Sequence, residues 1–170
     1  MASFWQGSTD QHRTEIVSLL AKAVPIRLAD AITSVGTQVN GVYALYYSGP
    51  CPDCQAGRNP VYVGSARSSA KGRLRGRLRE HLASIKATQR LRVEDILVRY
   101  VATPQTLAGA AELLLIEHFH KPVWNASGFG SKANGKGRPK QRVSLWDQRH
   151  PGRSHRGTEP PPAPKTSRTK

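Results

Sequence analysis

The chain has 170 residues, of which 26 are Lys or Arg and 11 are Asp or Glu, and its formal net charge is +15. This length suits one domain with tails, and the charge indicates an anionic partner, for which nucleic acid fits better than a small acidic metabolite. No apolar run is long enough to cross a membrane, and no secretory signal begins the chain. We therefore expect a cytoplasmic protein without membrane contact.

The first 40 residues predict a helical arm. Residues 1–9 are small and polar, and we expect them to form a frayed terminus. Apolar residues then recur at helical spacing over residues 11–23, and again over residues 28–35 after Pro25, which suits the first turn of a helix. We interpret this arm as a scaffold for packing or dimerisation.

Two stretches rich in β-branched and aromatic residues, 41–47 and 60–64, flank a polar region that contains several Gly and Pro residues. This pattern predicts two short strands joined by a long hairpin loop. Each stretch carries a tyrosine beside a glycine, Tyr43 and Tyr62. Taken alone, such tyrosines are ordinary half-buried sheet residues.

The loop between these strands contains one CxxC motif, formed by Cys51 and Cys54. In a cytosolic chain two such cysteines are expected to be free or metal-linked rather than joined in a structural disulfide. A complete zinc site would need His ligands or a second subunit. A polar loop with two thiols and a zinc-dependent interaction protein both stay open.

A basic helix is predicted next, because four apolar residues form one row at spacings of four, four and three: Leu74, Leu78, Leu82 and Ile85. Arg73, Arg75 and Arg79 fit a solvated face or general phosphate attraction. Arg77 and His81 stand one turn apart on one flank of the row, from which both could reach a common site over the sheet.

Residues 94–103 predict a central strand, since they are mostly apolar. Thr103 is expected to cap the helix that follows, with Pro104 in its first turn. In that helix Glu112 has only apolar or small residues one turn away on either side. A buried arginine or a metal ion would balance such a carboxylate, and its placement indicates a functional site.

The C-terminal part becomes strongly basic. Pro122 is expected to end the helix and to place Asn125 on an exit loop. Residues 127–142 are rich in Gly, Lys and Arg, and predict a loop that approaches DNA closely. The proline-rich, basic end from residue 154 to 170 is expected to be a disordered tail.

The order of these elements resembles the GIY-YIG nuclease superfamily over about residues 41–125. The matching positions are Gly41-Val42-Tyr43, Tyr62-Val63-Gly64, Arg77, His81, Glu112 and Asn125. Val42 and Val63 replace isoleucine and keep the β-branched packing of a strand. The resemblance implies an α/β (α+β) fold with a small three-stranded sheet flanked by helices, N-terminal helices and a basic C-terminal extension.

Later residues further resemble the restriction endonucleases of this superfamily that cut CCGCGG. The segments concerned are Gly128-Phe129-Gly130, Gly135-Lys136-Gly137-Arg138, Trp146 and His150-Pro151-Gly152-Arg153. This implies a type II restriction endonuclease of the bacterial cytoplasm that acts on double-stranded DNA as a homodimer, beside a DNA methyltransferase that protects the same site. Residues 41–126 would form the catalytic module, and residues 127–153 a DNA-recognition extension.

The resemblance also implies roles for the candidate catalytic residues. Glu112 would bind one Mg²⁺ per active site, with Mn²⁺ as a substitute, and Arg77 would grip the scissile phosphate. Tyr43 would be the general base, which requires nearby cations to favour its ionised form or a relay to take its proton. His81 would be that relay, and Tyr62 would orient water or phosphate.

Asn125 would hold the phosphate or the leaving group. The candidate DNA-binding residues are Arg73, Lys136, Arg138, Arg142, Arg149 and Arg153. Two further interpretations stay open besides the zinc protein: a repair or homing nuclease of the same superfamily, and a basic nucleic-acid-binding protein without catalysis.

Overall fold

The computed structural model describes residues 4–51, 54, 59–67, 73–130 and 143–152. The strands in these residues are β1 (Ile26–Arg27), β2 (Gly41–Tyr47), β3 (Tyr62–Ala66) and β4 (Ile96–Ala102). The helices are α1 (Phe4–Lys22), α2 (Leu28–Ser34), α3 (Leu74–Lys86), α4 (Gln105–His118), α5 (Val123–Ser127) and α6 (Leu145–Arg149), and a 3₁₀ turn covers Val93–Asp95.

The strands form one antiparallel sheet in the order β1-β4-β2-β3. The predicted α+β fold with the three strands β2, β3 and β4 is confirmed, and β2 has exactly the predicted bounds, as it spans Gly41–Tyr47. The fourth strand, β1, was missed because two residues are too short to show an alternating pattern. Both β2 and β4 have a strand on each side.

Both faces of β2 are covered, which explains why this strand has almost no polar residue. Tyr43, Leu45 and Tyr47 belong to a core cluster with residues of α2, α3, α5 and α6. Val42 and Ala44 point to the other face and pack with residues of α1 and α4. The alternation of a strand thus places Tyr43 under α3 and its neighbours under α4.

The N-terminal arm differs from the prediction in two details. The first helix begins at Phe4 rather than after residue 9, and it has 19 residues. Pro25 does not begin a helix, because it precedes β1, which pairs with β4 before α2 starts. The local helix propensity after Pro25 was outweighed because residues 26 and 27 form backbone hydrogen bonds with the edge of the sheet.

The ends of α4 also correct the prediction. Pro104, not Thr103, is the N-cap residue, and no side chain caps the helix. The Thr103 hydroxyl contacts the carbonyl oxygen of Pro104 instead. The helix ends at His118, and Pro122 is the N-cap residue of α5, so Asn125 lies within a short helix and not on an exit loop.

The expectation that Cys51 and Cys54 are free or metal-linked was wrong, because a disulfide joins them. Their Cα atoms are 5.2 Å apart, within the range that a disulfide spans, and both residues pack against the core. The Gly-rich loop at 131–142 and the tail from 153 lie outside the described residues. Within the described part of the chain, no helix is long and apolar enough to cross a membrane.

Candidate active site

The centre of the site is a hydrogen bond between two buried side chains. The Tyr43 hydroxyl lies 2.6 Å from Nε2 of His81. The apolar row of α3 faces the sheet, with Leu74, Leu78 and Ile85 fully buried, and this orientation brings His81 over Tyr43. The sequence prediction that one flank of α3 reaches a site over the sheet therefore agrees with the geometry.

Gly64 makes room for the Tyr43 phenol. A Cβ atom at Gly64 would lie 2.6 Å from the Tyr43 hydroxyl and 2.8 Å from a ring carbon of Tyr62. Gly130 has a comparable position beside Tyr62, since its φ is +73° and a Cβ there would lie 2.6 Å from the Tyr62 hydroxyl. Only glycine fits both positions without displacing a tyrosine.

Phe129 packs against both His81 and Tyr62. The rings of His81 and Phe129 stack at 4.8 Å between centroids, and Tyr62 meets Phe129 edge-on at 5.1 Å. Trp146 of α6 lies 4.6 Å from Phe129, and both are buried. The prediction of a DNA-approaching loop does not hold for Phe129, which is a core residue, and the sequence pattern gave no sign of this packing.

The two tyrosines are neutral phenols at rest. Burial raises the pKa of Tyr43 well above its usual value, and Tyr62 adds to this effect, whereas Arg77 opposes it. Burial also raises the pKa of Tyr62, again against the influence of Arg77. Burial therefore outweighs Arg77 for both phenols, and Nε2 of His81 lies within hydrogen-bond distance of the Tyr43 hydroxyl.

Arg77 supplies the positive charge at this phenol pair. Burial alone would lower its pKa, but the nearby Tyr43 and Glu80 outweigh burial, and the pKa is raised. Its guanidinium donates to the Glu80 carboxylate at 2.5 Å. Arg77 thus stays cationic beside both tyrosines, as phosphate binding requires.

Glu112 approaches from the other face of the sheet. Its Oε2 accepts a hydrogen bond from the Ser65 hydroxyl at 2.5 Å and faces the Arg67 guanidinium at 3.4 Å. The negative charge of Glu112 still contributes to the raised pKa of Tyr43 and Tyr62, so the carboxylate lies within electrostatic reach of the phenols. Sequence reasoning missed Ser65 and Arg67.

The carboxylate of Glu112 fits a magnesium site. The Glu112 side chain is 19% exposed, which leaves it accessible. The described residues contain no group of three or more His, Cys, Asp or Glu side chains that could hold a metal ion. A single carboxylate suits Mg²⁺, which keeps several waters and takes substrate phosphate oxygens as further ligands.

Asn125 has a different position from the one predicted. Its Oδ1 accepts from the Val63 backbone N–H at 2.8 Å, and its Nδ2 donates to the Val63 carbonyl at 2.8 Å. Both ends of the carboxamide are thus engaged with β3. These contacts join α5 to β3, and the role of Asn125 in holding phosphate stays a prediction.

The candidate DNA-binding residues are only partly within the described structure. Arg73 stands at the N-cap of α3 and donates to the Thr37 carbonyl at 3.3 Å. Arg149 lies in the last turn of α6. The remaining candidates lie outside the described residues: Lys136, Arg138, Arg142 and Arg153.

A sequence model of the Eco29kI GIY-YIG domain matches residues 36–167 of the chain. The chain belongs to this family. The matched segment contains the tyrosine pair, α3, Glu112 and the basic C-terminal part, and it confirms the GIY-YIG resemblance. The protein is thus a GIY-YIG nuclease, a hydrolase that cleaves DNA. No curated protein matches the chain.

Proposed function

We propose that this GIY-YIG nuclease is a magnesium-dependent type II restriction endonuclease. It hydrolyses double-stranded DNA at a short, GC-rich palindrome. The observation that carries the catalytic part of this proposal is the buried 2.6 Å hydrogen bond between Tyr43 and His81. A histidine whose pKa is near neutrality, hydrogen-bonded to a phenol, is the kind of pair that proton transfer uses.

Hydrolysis of a phosphodiester needs a positioned water, a proton acceptor and stabilisation of the charge on the phosphate. In the proposed mechanism the Tyr43 hydroxyl receives a proton from the attacking water as it passes its own to His81 Nε2. The water oxygen bonds to phosphorus, the bond from phosphorus to the 3′ oxygen breaks, and the leaving 3′ oxygen takes a proton from solvent. The raised pKa of Tyr43 favours this concerted route over a resting phenolate. Glu112 would hold a Mg²⁺ ion, or Mn²⁺ in its place, which when bound would supply Lewis-acid stabilisation of the phosphate oxygens.

Two further side chains orient the phosphate in this proposal. Arg77 offers a planar guanidinium whose geometry matches two phosphate oxygens. Tyr62 packs against His81 at 5.0 Å between ring centroids and directs its hydroxyl beside Gly130, where it can orient water or phosphate. Asn125 acts indirectly, through the position of β3.

Site selection would come from the C-terminal arginines. Arginine reads guanine through paired hydrogen bonds to O6 and N7, which suits a GC-only site such as the CCGCGG of the restriction enzymes that the sequence resembles. The proposed base readers are Arg138, Arg142, Arg149 and Arg153. A palindrome presents each base twice about a twofold axis, so the active species would be a homodimer, accompanied in the cell by a protecting methyltransferase.

Two rival functions explain less of the site. A zinc-dependent interaction protein would need thiolate ligands, yet Cys51 and Cys54 are joined to each other. A non-catalytic basic binder would use the arginines of α3 but would leave the Tyr43–His81 hydrogen bond and Glu112 without a purpose. A hydrolytic nuclease accounts for both.

Plasmid cleavage by Glu112→Gln tests the proposal. We expect linear or nicked products with the wild-type protein and Mg²⁺, none with a chelator, and a loss of at least about 10²-fold in rate for the variant. Binding of a duplex without Mg²⁺ should change little, since no basic contact is removed. Sequencing the ends of the wild-type products gives the cleavage site.

Glu117→Gln is the matched control, because Glu117 lies on the same helix and pairs with Arg13 at the surface. It should cleave at the wild-type rate. Wild-type cleavage by folded Glu112→Gln, or cleavage by the wild-type protein in a chelator, would refute the magnesium mechanism. Products with scattered ends would refute site-specific restriction and leave the nuclease activity intact.

A further inference from the structure

Arg67 pairs with the carboxylate that would hold a metal ion in the proposed function, that of Glu112. Its Nη2 lies 3.4 Å from Oε2 of Glu112, and its Nε donates to the Ser65 hydroxyl at 3.2 Å. The Ser65 hydroxyl in turn donates to that same Oε2 at 2.5 Å. The three side chains form one small network at the end of β3.

Gly109 leaves space for this arrangement. It lies on α4 one turn before Glu112, and a Cβ atom there would be 2.7 Å from Nη1 of Arg67. The guanidinium therefore lies directly over the helix backbone beside the carboxylate. A larger side chain at this position would push Arg67 away from Glu112.

Ser65 and Arg67 differ in how their contact with Glu112 would be affected if a metal ion bound to the same carboxylate. Ser65 is neutral and can keep its hydrogen bond when Glu112 also binds a metal. Arg67 is positive, and its charge opposes the binding of a divalent cation to the same carboxylate. The Arg67 side chain is 62% exposed, so its ion pair is weak and it can swing into solvent at little cost.

We propose that Arg67 is a placeholder cation for Glu112. It balances and orients the carboxylate when no metal is bound, and it gives way when Mg²⁺ binds. Arg67 is therefore a positioning residue that sets the magnesium concentration the enzyme requires. This inference rests on the proposed function, since it takes Glu112 as the metal ligand.

Magnesium binding to Arg67→Gln, measured without DNA, tests the inference. Titration calorimetry with MgCl₂ should give a dissociation constant about fivefold lower than that of the wild-type protein, because one opposing charge is gone. The rise in melting temperature on adding Mg²⁺ should increase accordingly. A purely structural role of Arg67 would lower stability equally with and without Mg²⁺.

Arg92→Gln is the control for net charge. Arg92 is 65% exposed and pairs with Glu94, as Arg67 pairs with Glu112. It should leave the Mg²⁺ dissociation constant unchanged, and an equal effect of both variants would overturn the placeholder in favour of a general charge effect.

Glu112→Gln separates this inference from the proposed function. Loss of Mg²⁺ binding in Glu112→Gln, together with tighter binding in Arg67→Gln, supports both. If Glu112→Gln loses Mg²⁺ but Arg67→Gln binds it no more tightly than wild type, the placeholder is refuted and the metal site stands. If Glu112→Gln still binds Mg²⁺ with wild-type affinity, both fail.

Discussion

The hydroxyl of Tyr43 can be removed with little change in packing, which makes it the sharpest single-atom test of the chemistry. Tyr43→Phe should lower the single-turnover cleavage rate by about 10²-fold or more, because the proton path to His81 is lost. Affinity for the duplex should stay within about twofold, since the ring keeps its contacts. Rapid-quench cleavage and fluorescence anisotropy measure the two quantities.

Tyr47→Phe is the matched control for this prediction. Tyr47 lies on the same face of β2 and is also buried, and its hydroxyl accepts a long hydrogen bond of 3.5 Å from the Arg92 backbone N–H. A similar fall in rate for both variants would mean that Tyr43 acts through packing alone.

Among single residues, the sequence predicted the positions of those that recur at the spacing of a helix or strand. The i and i+4 relation of Arg77 and His81 on α3 puts both beside Tyr43, because one turn of helix separates them. Ser65 and Arg67 were not predicted, since β3 was expected to end at Gly64 and its contact with α4 depends on tertiary packing. Continuing the strand by two residues would have placed Ser65 on the face of Val63.

Helix α6 is joined to the active site through the side chain of Trp146. This side chain is fully buried and contacts Phe129, which stacks on His81. Trp146→Ala should lower the free energy of unfolding by about 3–5 kcal/mol, the cost of a large cavity in a core. Urea unfolding followed by circular dichroism measures this change.

Leu145→Ala serves as its control, because Leu145 precedes Trp146 on the same helix and is exposed. Its effect should stay within about 0.5 kcal/mol. An equally small loss of unfolding free energy for Trp146→Ala and Leu145→Ala would show that α6 is not part of the core.

Among the elements, the sequence predicted best those with a clear pattern of apolar residues. The bounds of β2 and the apolar row of α3 followed from composition and period. The role of α6 could not be predicted, because a five-residue helix carries too few positions for a period and the contact of Trp146 with Phe129 depends on tertiary packing. The boundary placed at residue 126 stays a prediction.

For the whole molecule, the buried phenols predict a loss of stability at high pH. The pKa values of Tyr43 and Tyr62 are raised in the folded protein. Above about pH 10 the unfolded chain therefore releases these protons while the folded chain retains them, and the free energy of unfolding falls as pH rises. Below that pH both states are protonated and the two phenols add no pH dependence.

The double variant Tyr43→Phe/Tyr62→Phe should lose less stability than wild type between about pH 9 and pH 11. Urea midpoints across this range measure the difference, and Tyr46, whose pKa is also raised, remains in both proteins. Parallel curves for the two proteins would contradict the direction given for these pKa values.

The carboxamide of Asn125 affects whether the edge of the sheet can pair with a second molecule of this nuclease. Because β3 ends the strand order, its outward backbone groups could recruit a strand from a second molecule. Asn125 satisfies both groups of Val63, and the Trp124 N–H satisfies the Val61 carbonyl at 2.8 Å. The Asn125 carboxamide thereby makes the hydrogen bonds that the peptide group of a fifth strand would make. This occupied edge protects β3 from aggregation by edge-to-edge pairing.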